Sequence, residues 1–336
     1  MSETADRLLC RVLEPTPRVK RWVKTLCNRL DRIRNLQPLS GTLLLGGSLA
    51  RGEPCVRCAR GKPALLSDLD FVYVSESAAS RSFLIDLADK IGQLGLDKVT
   101  ILGVKRDEFC KLGTSIGYDF KVIGICFSGN NVWANDDVRL CVRDAADMLL
   151  YAIQEFLEKG LFDLLESPSE DDERSKYDVH RIAAYAIRSI CMLRGGYYLH
   201  DARDTDDELA SRVIGWRDDR CSDALSMQDC VKCIGRCLVK HEQFGHFRDH
   251  DNTIDGCGLA RSSHAGDLRR HQRIVRDFWR ELNIEEGSAA SGRRDIVDSW
   301  ARTRQRFGIR SRDPKAWFLR QAKPYRRALF RAKVGH

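Results

Sequence analysis

The sequence predicts an α+β protein, with a sheet and its flanking helices inside residues 1–142 and a helical domain after them. Short apolar runs at Thr42–Leu45, Leu69–Val74, Lys98–Lys105 and Tyr118–Phe127 have strand length and are separated by turns or by helical patterning. From about Asp144 the apolar residues recur instead at three- and four-residue steps, as in Leu149, Leu150, Ile153, Leu157 and Leu161. With 336 residues, 43% of them hydrophobic, the chain is long enough for two domains and a sizeable core.

Residues 1–16 read as a loose start or short helix ending near Pro15 and Pro17. Between Arg18 and Leu36, the residues Val19, Trp22, Val23, Leu26, Leu30 and Ile33 share one face, so a helix is expected. Thr42–Leu45 is the first strand, and Ser48–Arg51 begins a helix whose positive N-terminal end would face an anion. The stretch 53–66, EPCVRCARGKPALL, reads as a loop. Leu69–Val74 is the second strand, and Ser80–Leu94 is a helix with Phe83, Leu84, Leu87, Ile91 and Leu94 inward. Two further strands, Lys98–Lys105 and Tyr118–Phe127, precede the turn Ser128-Gly129-Asn130-Asn131, after which Val132-Trp133 reads as a short pairing strand.

Glu166–Lys176 is acidic and carries Pro and Ser, the composition of an exposed loop. Tyr177–Arg194 is a helix with Val179, Ile182, Ala183, Ala186, Ile190 and Leu193 on one side, ended by Gly195-Gly196. Helices are also expected over Leu209–Trp216, Met227–Phe247, Gly266–Leu282 and Asp295–Phe307. Three regions follow: 1–142 with the sheet, 143–292 helical, and 293–336 helical and basic.

No run of 18 or more apolar residues occurs, so no membrane-spanning helix is expected. The N-terminus lacks the basic start and apolar block of a secretory signal, and a cytoplasmic protein is the expectation. The cysteine count is odd, 13, which favours reduced thiols over a disulfide framework. Cys10, Cys27, Cys126 and Cys191 sit in apolar patterns, as small hydrophobes do.

The net charge of +8 is unevenly spread: residues 293–336 hold 14 Lys and Arg against three Asp, leaving −3 on the rest. Such a segment suits RNA or another polyanion, and its aromatics (Trp300, Phe307, Trp317, Phe318, Tyr325 and Phe330) are able to stack on bases. The same spacing fits helices that dock by their aromatic side and keep a solvated basic face, which is the favoured reading.

The residues that carry chemistry are Gly46-Gly47-Ser48, after the first strand, and Asp68-Leu69-Asp70, opening the second. Residues i and i+2 of a strand share a face, so Asp68 and Asp70 present two carboxylates side by side. Like charges so placed call for a cation, and hard oxygen donors suit Mg²⁺ shared with substrate phosphates. The glycine turn offers N–H groups and a hydroxyl to those phosphates. Each piece alone is commonplace: a turn, a cap, a solvent-facing Asp.

Together, LLLGGSLARG and SDLDFVYV resemble the nucleotidyltransferase superfamily with the DNA-polymerase-β-type fold, over roughly residues 17–140. That resemblance implies a polymerase-β-like mixed sheet and a third carboxylate on a later neighbouring strand, a place that Asp119 fills in the run GYDFKVIGI. The piece EPCVRCARGKP makes the connection from Ser48 to Asp68 longer than the family's. LRGGYYLHDARDTDDELAS also resembles, loosely, a helix connection of antibiotic nucleotidyltransferases.

The resemblance implies an enzyme that moves a nucleoside monophosphate from a nucleoside triphosphate to an acceptor hydroxyl and releases pyrophosphate. Asp68, Asp70 and Asp119 would be its catalytic and metal-binding residues, holding two Mg²⁺ ions for which Mn²⁺ can substitute. Gly47 and Ser48 would hold the β- and γ-phosphates, with Arg181 and Arg188, seven apart on one helix, reaching the triphosphate; that spacing equally describes a solvated stripe. A small-molecule acceptor is the leading expectation. The alternatives are a nucleotide or RNA end, as in cyclic-oligonucleotide synthases and terminal nucleotidyltransferases, or a non-catalytic nucleotide-binding regulator. Cys55, Cys58, Cys230 and Cys233 form two Cys-x-x-Cys pairs, the inventory of a structural Zn²⁺ site, at a wider separation than usual; buried thiols or a redox pair weigh against it. His241 and His246 are reserve ligands.

Overall fold

The computed structural model describes residues 17–36, 39–51, 56–59, 62–65, 67–112, 115–133, 138, 142–160, 173–195, 227–243, 265–282 and 293–334. They form two compact units, the first within 17–138 and the second within 142–334. Both units together make an α+β protein, mostly helical. No helix among the described residues is long and apolar enough to cross a membrane.

The first unit opens with helix α1 (Pro17–Asp31), which tightens into a 3-10 turn at Arg32–Asn35. Strand β1 (Thr42–Leu45) leads through a single helical turn, α2 (Gly47–Ala50), to strands β2 (Val56–Ala59) and β3 (Lys62–Leu65). Then come β4 (Leu69–Ser75), α3 (Arg81–Gly92) and β5 (Val99–Lys105). Short helices α4 (Arg106–Cys110) and α5 (Ser115–Lys121) precede β6 (Ile125–Ser128). The main sheet has the order β5-β4-β1-β6 and is mixed: β4 and β5 are parallel, whereas β1 is antiparallel to both β4 and β6.

One face of this sheet is apolar by simple alternation. Leu43 and Leu45 of β1, Leu69, Phe71 and Tyr73 of β4, and Ile125 and Phe127 of β6 pack with Val23, Leu26 and Leu30 of α1 and with Leu87 and Ile91 of α3. Ser80 caps α3 by accepting from the N–H of Phe83.

The expected loop at 53–66 is instead a two-stranded hairpin, β2 on β3, in which Ala59 pairs with Lys62 across two residues. Arg60-Gly61 is a tight-hairpin spacing with glycine at its end; the Pro, Gly and Cys content masks it in the sequence. The expected strand Tyr118–Phe127 is also corrected. Its first half is helix α5, and only Ile125–Ser128 is strand. Val122 and Ile123 N–H groups both return to the Tyr118 carbonyl, and Gly124 lies so close to the Phe120 carbonyl that a Cβ would collide with it. An apolar run is compatible with a short buried helix as well as a strand. Val132 and Trp133 lie in a turn, not a strand; the Trp133 ring packs edge-on against Phe109 and its Nε1 donates to Cys110 Sγ.

The second unit comprises α6 (Val142–Glu155), prolonged by a π-helical turn at Phe156–Gly160, then α7 (Glu173–Gly195), α8 (Met227–Gln243), α9 (Ala265–Glu281), α10 (Arg293–Phe307) and α11 (Pro314–Val334). The expected elements at Leu209–Trp216 and in most of Glu166–Lys176, and the segment after Gly195, lie outside the described residues. Helix α7 packs against both α6 and α8, and residues 182–184 and 186–190 are all buried. It is a central helix, not one with a single inward side.

The basic C-terminal helices join the same apolar cluster. Trp300 and Phe318 pack on the Phe278 ring of α9, Trp317 packs on both of them, and Trp279 of α9 meets Phe156 in the same cluster. The aromatic residues between the arginines dock these helices, as the favoured sequence reading has it.

A buried polar contact joins α9 to α6 in this core. His271 Nε2 lies 2.8 Å from Gln154 Oε1, its ring stacked on Trp317 and tilted against Tyr325. Burial lowers the His271 pKa from the ordinary 6.5 to about 3. Between these values the unfolded chain binds a proton that the folded chain refuses, so stability falls as pH drops below 6.5. At pH 5 the expected loss is ~2 kcal/mol. Urea midpoints at pH 7.5 and 5.0 measure it, and the dependence should flatten in His271→Phe; equal dependence in both proteins refutes this account.

Candidate functional site

At one end of the main sheet four segments come together. β1 finishes there and turns at Gly46-Gly47, whereas β4, β5 and β6 begin there: Leu69 pairs with Val99, and Leu45 faces both Phe71 and Ile125. The ladder runs one step beyond β1, because the Gly46 N–H donates to the Asp70 carbonyl at 2.9 Å. The glycine turn and the aspartates predicted from sequence therefore share this edge.

Leu69, Phe71 and Tyr73 take the core side of β4, which leaves Asp68 and Asp70 for the opposite face. Asp68 is exposed and Asp70 half-buried. Thr100 of β5 stands beside Asp70 in register. Between the two aspartates, the Leu69 N–H donates to the carbonyl of Lys98, an exposed residue with a φ of 58°. A lysine in left-handed backbone is unusual, and here the conformation serves the start of β5 at this edge.

Gly47 has a φ of 67°, and a Cβ added to it would lie 2.6 Å from Asp70 Oδ2. The Asp70 carboxylate rests against the bare glycine backbone. Its neighbour Gly46 is equally tight, since a Cβ there would lie 2.5 Å from the Phe120 ring. Gly47→Ala is thus expected to destabilise the first unit by about 1 kcal/mol through left-handed backbone strain and to push the Asp70 carboxylate aside. Thermal unfolding checks the first effect; an alanine variant as stable as wild type refutes the strained contact. Ser48 follows, half-buried. Helix α2 is one turn long, so it offers local N–H groups and not the macrodipole expected from the sequence.

Asp119 reaches this region from helix α5, and not from a strand beside the aspartates. The strands that flank β4 are β1, TLLL, and β5, VTILGVK, neither of which carries a carboxylate. Asp119 Oδ2 is 2.7 Å from Arg51 Nη1, with Arg51 only 2% and Asp119 15% exposed. Arg51 follows α2 directly, and sequence reading passed over it. The signal for it was an arginine directly after the glycine turn, which if buried must be matched by a carboxylate. Phe120, adjacent to Asp119, is the other residue missed. Among the described residues no three His, Cys, Asp or Glu side chains gather closely enough to hold one metal ion.

Arg181 and Arg188 belong to the second unit. Arg181 pairs with Glu155 at 2.9 Å, and Arg188 is 0% exposed. Neither forms a solvated stripe, because α7 is central; a wholly enclosed guanidinium does not present itself to a triphosphate. Of the four cysteines, Cys55 lies outside the described residues and Cys58 lies in β2. Cys230 and Cys233 lie in α8, where the Cys233 thiol is free, 5% exposed and packed in the apolar cluster with Ile234, Cys237 and Leu238. Burial as a small hydrophobe describes it. His241 falls within α8 but its side chain, like His246, lies outside the described residues.

No known protein family matches this chain, nor does any curated protein or solved structure.

Proposed function

We propose that this chain is a metal-dependent nucleotidyltransferase with a polymerase-β-like N-terminal domain, moving a nucleoside monophosphate from a triphosphate to an acceptor hydroxyl of a small molecule. The observation that carries the reading is the Asp70 carboxylate lying against Gly47; strand alternation assigns Asp68, two residues earlier, to the same side. The pairing of a glycine-terminated strand antiparallel to the aspartate strand, with the next strand parallel, supports it.

The donor set fits Mg²⁺, which takes one or two protein carboxylates and completes its shell with phosphate oxygens and water. When bound, the ions neutralise charge on the transferring phosphoryl group and on the attacking and leaving oxygens. Asp68 and Asp70 hold them. The Gly47 N–H and Ser48 hydroxyl donate to β- and γ-phosphate oxygens and so orient the leaving group. The acceptor oxygen bonds to the α-phosphorus, the bridging P–O bond breaks, and pyrophosphate departs with that electron pair. Asp119 would either take the acceptor's proton or add a ligand to the second ion.

A second reading, a regulator that binds nucleotide without transferring it, is favoured by the pair of Arg51 with Asp119, since Arg51 already holds one oxygen of Asp119. A thermal-shift series with the four triphosphates and Mg²⁺, followed by pyrophosphate release with and without RNA, separates the two. Stabilisation with release supports the transferase; stabilisation without release supports the regulator. No stabilisation and no release, with any nucleotide and with Mn²⁺ in place of Mg²⁺, removes both.

A further inference from the structure

The second unit carries a basic corner that the transferase reading does not use. It is built around the turn between α10 and α11. The Trp300 Nε1 donates to the Ser311 carbonyl at 3.0 Å, and the Ser311 hydroxyl donates to the Asp313 carbonyl at 3.1 Å. Asp313 Oδ1 caps α11 by accepting from the Ala316 N–H. Arg270 of α9 donates to the Phe307 carbonyl, at the end of α10. The corner is thus pinned from three sides, and its one acid is occupied with the backbone.

Three other arginines of these helices are neutralised. Arg302 and Arg306 of α10 pair with Asp277 and Glu281 of α9, and Arg326 of α11 pairs with Glu155 and Glu158. Arg310, Arg312, Arg320, Lys323 and Arg327 are exposed, and none has an ion pair among the described residues. Arg320 donates to Ser311 Oγ at 2.9 Å, which joins α11 to the turn bearing Arg310 and Arg312. Arg320, Lys323 and Arg327 stand three and four residues apart, on one face over about 10 Å of helix. Five cations on a preordered surface, with Asp313 as the one acid of the turn, form a binding footprint for a regular polyanion.

The aromatic residues decide what kind. A surface for single strands needs exposed rings on which bases stack. Here Trp300, Trp317, Phe318 and Tyr325 are buried. A membrane surface needs an apolar stripe beside the cations, and Leu319 is the one large hydrophobic exposed on the described part of α11. We infer that this corner binds double-stranded nucleic acid through its phosphate backbone, without reading bases.

The test is fluorescence anisotropy of the full chain with a labelled 20-bp RNA duplex, the matching DNA duplex and each single strand, without nucleotide or Mg²⁺, so that it succeeds or fails separately from the transferase reading. Duplex affinity is expected to fall roughly 100- to 1,000-fold between 50 and 200 mM salt, as four or five phosphate contacts require. The variant Arg312→Glu/Arg320→Glu/Lys323→Glu should lose at least 30-fold, whereas the charge-matched Arg21→Glu/Lys24→Glu/Lys90→Glu, all exposed positions of the first unit, should lose less than 3-fold. Preference between the two duplexes identifies the natural source. Single strands bound as tightly as duplex, equal losses in the two triple variants, or binding to anionic vesicles with none to duplex each overturn the inference.

Discussion

Asp119→Ala is expected to lower the stability of the first unit by about 3 kcal/mol, a fall of roughly 6–12 °C in its unfolding temperature. The cause is Arg51. Its guanidinium is 2% exposed and 2.7 Å from the Asp119 carboxylate, so removing the acid leaves a charge where water does not reach. The double variant Arg51→Met/Asp119→Leu should recover much of the loss, since replacing both members of a buried pair with apolar groups of similar size is often neutral. Differential scanning calorimetry measures all three proteins. An Asp119→Ala variant as stable as wild type would show that the pair holds nothing in place, and would return Asp119 to the purely catalytic role that the sequence suggests.

That prediction also marks where the sequence stops being legible. The strands β1, β4 and β5 could be read because short apolar runs such as Leu43–Leu45 and Phe71–Val74, set between turns, are a local property of the chain. The edge they form was readable for the same reason: a strand ending in Gly46-Gly47 and another opening at Asp68 and Asp70 needed only to be antiparallel neighbours. Helix α5 was not readable, because its seven residues include Phe120, whose place is fixed by the bare surface of Gly46, a contact across more than 70 residues. Likewise, the apolar residues of α7 announce a helix, yet nothing local says that packing on two sides encloses Arg188. In each miss the identity of the residue was visible and the partner that positions it was distant. The arginine-rich tail shows the converse: its aromatics gave away the docking side, and only the ion pairs of the fold distinguish spent arginines from unspent ones.

Asp70→Ala should behave in the opposite way to Asp119→Ala. Asp70 is half-buried at a strand end with its carboxylate against Gly47, and Asp68 beside it is exposed. Asp68 lies outside the apolar core and Asp70 is only half-buried, so deleting either leaves the fold intact. Under the transferase reading, pyrophosphate release then falls by at least 1,000-fold, about 4 kcal/mol of transition-state stabilisation, while the unfolding temperature without metal stays within a few degrees of wild type or rises. Asp70→Asn keeps the shape and removes the charge, so it should lose metal-dependent stabilisation by nucleotide to the same degree. Asp68→Ala follows the same pattern. The contrast is diagnostic because it joins two independent readouts: acids whose loss is read in activity, and an acid a helix away whose loss is read first in stability. If Asp70→Ala unfolds the protein, or retains full release with Mg²⁺ or Mn²⁺, the paired carboxylates are structural and the edge of the sheet is not the place where phosphate chemistry occurs.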